Sequence, residues 1–168
     1  IEVVIPTTGR FAGKYVQEMA EKPGYYPPQV AAKAKQVGPL IQATAGRAYK
    51  AGVKIAFGTD AAVYPHGMNA REFVYMVEAG MPTMFVIQAA TTHAAQLLKH
   101  EKELGSVAPG KFADVIAVPG NPLDDITLLQ KVNFVMKAGK VYAAGPKPQA
   151  VVAQATAATA SPEELEGF

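Results

Sequence analysis

In the stretch VKIAFGTDAAVYPHG, residues 53 to 67, a short apolar run delivers one carboxylate, Asp60, and then opens into a loop carrying a phenol and an imidazole, Tyr64 and His66. An Asp at the end of a buried strand can close a turn, cap a helix or ligate a cation, and local pattern alone leaves the three roles open. Tyr64 and His66 are either solvated loop residues or groups that reach a bound molecule. Asn69 reads as a helix cap, and Arg71 with Glu72 as helix-surface charges or a local ion pair. His93 and His100 are seven residues apart, about two helical turns and ~10 Å along an axis. That is too far to share one metal ion, so each reads as a satisfied or exposed histidine.

The elements that must position these groups are legible in the periodicity. IEVVIPTT opens the chain as a β-branched strand stopped by Pro6 and the Thr7-Thr8 pair. Between residues 28 and 51, Val30, Ala34, Val37, Ile41, Ala45 and Ala48 recur at steps of three and four, the stripe of a helix packing one face on a core. Gly38-Pro39 predicts a kink or a break into two helices. Gly52 stops the helix, and Val53 to Phe57 form a short buried strand that Gly58-Thr59-Asp60 ends. A helix capped at Asn69 turns Phe73, Met76 and Val77 inward until Gly80. Another runs from Pro82 or Thr83 to Leu98 with a jog at Thr91-Thr92.

Beyond residue 100 the texture changes. GSVAPGKFADVIAVPGNPLDD alternates turn residues with short apolar runs, and VNFVMKAGKVYAAG predicts a hairpin turning at Lys137 to Lys140. The reading is an α/β part over 1–100, β-strands over 101–145 and an Ala-, Pro- and Thr-rich tail over 146–168, where PEELEGF suffices for one helical turn.

Nearly half of the 168 residues are apolar, enough for a real core and against wholesale disorder. Sixteen basic and 14 acidic residues leave a formal charge of +2. Such a balance has no concentrated field for nucleic acid or an anionic membrane. The absence of cysteine excludes a disulfide scaffold, a thiolate nucleophile and a thiolate zinc site. No apolar run reaches the ~20 residues of a membrane-spanning helix. Nothing decides between cytoplasm and periplasm. The chain begins without Met inside a strand, which points to a piece of something longer.

Two blocks, KIAFGTDAAVYPHGMNAREF and then AATTHAAQLL with GSVAPGKFADVIAV and VMKAGKVY, resemble the C-terminal part of the amidohydrolase superfamily. The likeness runs over residues 1 to about 144. Its nearest branch holds imidazolonepropionase-like enzymes and the metal-dependent dipeptidases that cleave Xaa-Pro or Xaa-Arg bonds. The resemblance implies an α/β fold: the last two β/α units of a (β/α)8 barrel plus part of a small β-sandwich. It also implies one or two divalent ions, zinc foremost, at the carboxyl ends of the strands. Asp60 matches the Asp that closes the last barrel strand, a metal ligand that takes the proton from the attacking water. Barrel sites do lie at the carboxyl ends of strands. The loop bearing Tyr64 and His66 would overhang the barrel mouth within reach of substrate, and Arg10 is a candidate partner for a substrate carboxylate.

The resemblance further implies a His-x-His pair, a bridging Lys and single histidines on earlier strands. None of these is in the chain, whose three histidines all follow Asp60. The family often carries Asn where His93 stands, which counts against a ligand role there. One Asp cannot hold a catalytic zinc, and a whole barrel takes ~250 residues. The expectation is therefore a C-terminal fragment, inactive alone. Its partners are the missing N-terminal portion as a companion chain and a small peptide or amide substrate, within a homo-oligomer of the complete enzyme. The alternative is a non-catalytic fragment or subunit that keeps the fold and binds a partner chain.

Overall fold

In a computed structural model, the structure describes residues 4–6 and 10–145. Thr7, Thr8 and the tail over 146–168 lie outside the described residues. The elements run β1 (Val4–Pro6), α1 (Arg10–Ala20), α2 (Pro28–Lys50), β2 (Lys54–Ala56), α3 (Arg71–Glu78), α4 (Thr83–Ala90), α5 (Thr92–Leu97), β3 (Val115–Ala117), a 3-10 turn (Ile126–Gln130), β4 (Phe134–Lys137) and β5 (Lys140–Ala144). The fold is a mixed α/β one. β1 and β2 pair in parallel, with Ile5 opposite Ile55, so the chain between them must cross back through α1 and α2.

α2 starts at Pro28, whose fixed φ suits the first helical position, and ends before Gly52 at φ +75°. It is one helix with Pro39 inside it, so of the kink or break that Gly38-Pro39 suggested, the break into two helices does not occur. Packing supplies the reason. A Cβ on Gly38 would stand 3.0 Å from the Gln17 Cβ and the Gly13 carbonyl oxygen, and one on Gly13 would stand 3.0 Å from Ile41 Cγ2. The two glycines let α1 lie close along α2 across the proline, and that contact supports the helix where one backbone bond is lost. The predicted stripe is only partly buried: Ala34 is covered and Ala45 and Ala48 half so, but Val30 and Ile41 remain exposed.

The main core joins β2 to the next two helices through Ile55, Met76, Met81, Val86 and Ala89. Each of its larger side chains contributes about 1.5–3 kcal/mol by leaving water. α4 and α5 are separated at Thr91, where φ −124° and ψ −89° make the predicted jog. Gly105 (φ +88°) sits in it, so close that a Cβ would stand 2.8 Å from the Ala95 Cβ.

In the β-rich part, β3, β4 and β5 form an antiparallel sheet. The hairpin turns where it was predicted, with Ala138 and Gly139 at φ 48° and 77°, the left-handed pair of a tight turn. Asp114 holds that turn: Oδ1 accepts from the Ala138 amide at 2.7 Å and Oδ2 from Lys137 Nζ at 3.0 Å. These two hydrogen bonds, the backbone one first, keep the Asp114 carboxyl below its ordinary pKa. Asp125 caps the 3-10 turn by accepting from the Thr127 amide at 2.9 Å, and the turn buries Ile126 and Leu129. The Thr83 hydroxyl donates to the Leu123 carbonyl at 3.2 Å, which ties α4 to the β-rich part.

Candidate active site

Phe57, Gly58 and Thr59 separate the end of β2 from Asp60, so the carboxylate lies just past the strand tip, where the sequence located it. It is exposed, while Thr59 and Ala61 to either side are partly covered. Phe57 is tied by its amide, which donates to the Ala89 carbonyl at 2.9 Å, and its ring stacks on Phe73 with centroids 4.3 Å apart. Thr59 Oγ1 accepts from Asn69 Nδ2 at 2.8 Å. The Val63 amide donates to the Asp60 carbonyl at 3.1 Å and the Ala62 amide to the Tyr64 carbonyl at 3.2 Å. These bonds close a tight turn in which Ala62 has φ +107°, a value rare for a residue with a Cβ.

Tyr64 and His66 diverge within this loop. His66 is exposed. Tyr64 is only 3% exposed, clustered with Ala12 of α1 and packed against Tyr15, Ala61, Met68 and Tyr75. Its ring lies 6.2 Å from that of Tyr15. Tyr15 takes part in a hydrogen bond with Tyr25, the first cause of its raised pKa. Burial holds the Tyr75 hydroxyl above its usual value, with Glu18 adding to the effect. The reason Tyr64 turns inward is the loop's own geometry: once the chain bends back at Ala61 to Tyr64, α1 is the apolar surface it meets. Periodicity carries no such signal.

Two expectations on α3 are corrected. Asn69 is not its side-chain cap, because the N-cap is Ala70, which has no side-chain cap bond, and the Asn69 amide reaches Thr59 instead. Arg71 is exposed as expected, but Glu72 is 1% exposed and therefore no surface charge. Its place one turn from Met76, on the covered face of α3, carries it inward. A buried acidic residue within a few positions of an Asp-bearing loop is the feature that sequence reasoning missed, and its spacing from Met76 was the available clue.

The remaining candidates stand elsewhere. Arg10 opens α1, and its side chain lies outside what is described. His93 and His100 share no helical face, since α5 ends at Leu97 and Lys99 turns the chain at φ 60°. His93 packs edge-on against Phe85 at 5.3 Å, and His100 Nδ1 lies 2.8 Å from Glu103 Oε2. A cleft of about 460 Å³, lined among others by Lys54, Ile55, Phe85 and His93, opens at the start of β2 and does not include Asp60. Among the described residues no three or more His, Cys, Asp or Glu side chains converge on one point. Asp60 thus offers a hard oxygen donor that fits a divalent cation as a member of a larger set and does not by itself make a coordination sphere. No helix among the described residues is long and apolar enough to cross a membrane.

Comparison with known proteins bears on this geometry. The ochratoxinase of Aspergillus niger is 43% identical over 100 residues, which are 56% of this chain and 20% of that protein. A 5-methylthioadenosine/S-adenosylhomocysteine deaminase of Thermoanaerobacter pseudethanolicus is 26% identical over 113 residues, 61% of this chain and 25% of that protein. A crystal structure of a Xaa-Pro dipeptidase with methionine in its active site superposes with a TM-score of 0.78 at 51% identity, over 83% of this chain and 34% of that one. The chain therefore spans a fifth to a third of the length of these relatives. The model of the amidohydrolase family matches residues 33–142, through the Asp60 loop, the helices after it and the β-rich part alike, and the chain belongs to that family.

Proposed function

We propose that this chain supplies Asp60 to the active site of a metal-dependent amidohydrolase that cleaves an amide or peptide C–N bond with activated water. The observation that carries the reading is the exposed carboxylate just past the tip of a strand paired in parallel, inside the family match. In this reading β1 and β2 are the last two strands of a (β/α)8 barrel, residues 1–100 belong to the barrel part and 101–145 to a small β-sandwich.

Asp60 would hold a divalent ion, zinc foremost and one or two in number, together with ligands from outside this chain. A bound ion of that kind supplies a Lewis acid and a water with pKa near ~7. Asp60 is then the carboxylate in place to accept the proton of the attacking water. Its exposure suits a ligand whose companions come from other segments. His66, exposed in the same loop, contacts the substrate, and Arg10, at the head of α1 after β1, takes a substrate carboxylate. Tyr64 shapes the site from beneath instead of touching substrate, because it is buried. The dipeptidase and ochratoxinase relatives support a small peptide or amide as substrate.

The missing barrel strands come from an N-terminal portion, as a companion chain within a homo-oligomer. Among the described residues β2 pairs only with β1, so its other edge is open beside the 460 Å³ cleft. Leu98, Val107, Phe112 and Ile116 likewise leave exposed apolar surface beside β3. A non-catalytic fragment that binds such a partner is the second reading, favoured by the lack of a converging ligand set among the described residues. The test is metal analysis and dipeptide hydrolysis on the chain assembled with its N-terminal portion. Bound divalent metal and hydrolysis that Asp60→Asn removes support the enzyme; a metal-free assembly whose turnover survives Asp60→Asn sinks it.

A further inference from the structure

We propose that Asn69 and Tyr64 are positioning residues that hold the Asp60 carboxylate over the strand tip, one from each side of it. The catalytic consequence rests on Asp60 being the metal-binding carboxylate proposed above; the holding itself does not.

On one side, Asn69 stands one residue before the N-cap Ala70, at a helix start where a nearby Asn side chain would ordinarily cap the first turn. α3 lacks any side-chain cap bond, and Asn69 Nδ2 instead donates to Thr59 Oγ1 at 2.8 Å. A local helix-stabilising contact is forgone for a link that fixes the residue immediately before Asp60. Polar residues that depart from the local rule in favour of a tertiary contact mark places where position matters more than local stability. The Asn69 carbonyl also accepts from the amide of Glu72 at 3.1 Å, and Glu72 is buried. The link therefore runs from Asp60's neighbour into the fixed start of α3.

On the other side, the turn from Asp60 to Tyr64 contains Ala62 at φ +107°. A residue with a Cβ keeps such a conformation only where the surroundings over-determine it. The two short backbone bonds within the turn, Val63 to Asp60 and Ala62 to Tyr64, do not reach the rest of the fold. Tyr64 does: it is 3% exposed, packs on Ala12 and has its ring 6.2 Å from that of Tyr15. Its burial on α1 is what anchors the turn. Asp60 is thus an exposed carboxylate between two anchors, Thr59 to the start of α3 and Tyr64 to α1, free to present its oxygens but not to drift.

The test is hydrogen exchange at the Ala62 and Val63 amides in the 168-residue chain, comparing Asn69→Ala, Tyr64→Ala and Tyr64→Phe, with α2 amides as the measure of global folding. Exchange should accelerate by about tenfold or more in the two alanine variants at unchanged α2 protection, and Tyr64→Phe, which keeps the ring, should stay near the parent. Thr59→Val and Thr59→Ser separate the hydroxyl from its shape if Tyr64→Ala fails to fold: Val should behave as Asn69→Ala and Ser as the parent. In the assembled hydrolase, Asn69→Ala should lower kcat by about 10- to 100-fold with KM little changed. Unaltered exchange in Asn69→Ala and Thr59→Val overturns the proposal, and an unaltered kcat in Asn69→Ala where Asp60→Asn is inactive overturns its catalytic consequence. Should Asp60→Asn retain full activity, the metal-ligand reading falls, and the exchange result still decides whether these residues hold the loop.

Discussion

The ring of Phe57 lies on that of Phe73, 4.3 Å between centroids and 29° between planes, so the first residue past β2 is stacked on the first turn of the chain's next helix. The stack lies where β2 gives way to the loop that carries Asp60. Phe73→Ala removes the stack and leaves Phe57 held by its amide bond to Ala89. The expected loss is about 2–3 kcal/mol, below the range for fully buried phenylalanines because Phe73 is only partly covered. Urea denaturation of the folded assembly reads it, and a change under about 0.5 kcal/mol would show that the stack does not bear on stability.

Gly46 and Gly52 make opposite demands on an added methyl group. A Cβ on Gly46 would stand 2.8 Å from the Ala79 carbonyl oxygen, a backbone atom that cannot step aside. Gly46→Ala gains about 1 kcal/mol of helix propensity and loses more to the clash, a net cost of about 1–2 kcal/mol. Gly52 has open space but φ +75°, so Gly52→Ala costs about 1 kcal/mol through backbone conformation alone. Equilibrium denaturation of both variants in the folded assembly reads the two costs, and a Gly46→Ala variant as stable as the parent would show that the Ala79 backbone gives way.

The hairpin carries an acid-sensitive tie. The Asp114 carboxyl is held below its ordinary pKa by the Ala138 amide and by Lys137. A group with a lowered folded pKa stabilises the fold above the unfolded carboxylate range and loses that contribution as pH falls through the folded value. Asp114→Asn should therefore reduce stability near neutral pH and flatten the decline on acidification. Denaturation midpoints at neutral pH and at pH below the carboxylate range check this: equal slopes for parent and variant would remove Asp114 from the acid response.

Chelation and Asp60→Asn should converge on one phenotype in the assembled enzyme. Stripping divalent ions should abolish amide hydrolysis and zinc or cobalt should restore it, whereas Asp60→Asn should lower kcat by about 10²- to 10⁴-fold without rescue by added metal. Full rescue of the variant by metal would relocate the proton acceptor to another group.

Several features were legible in sequence because local physics decides them. The jog at Thr91, the hairpin at Ala138-Gly139 and the place of Asp60 past a short apolar strand follow from turn chemistry and burial period. The family resemblance carried by the GTDA and THAAQLL blocks is matched by the comparisons. The misreadings share one cause. The break that Pro39 allowed beside a kink did not form, Asn69 predicted a cap by its position, and Glu72 was offered as a surface charge or an ion pair but is buried; in each the deciding contact comes from elsewhere in the chain.

By itself, then, the amino-acid order determined which residues could do chemistry, that Asp60 follows a buried strand, and that an α/β part gives way to β-strands. Tertiary structure alone decided that α2 runs unbroken against α1, that Asn69 bonds Thr59, and that Tyr64 turns inward while His66 faces water. The physical reason is range: propensity and period act over one or two turns of chain, whereas a glycine's close approach or a tyrosine's burial depends on a surface folded from residues ten to fifty positions away.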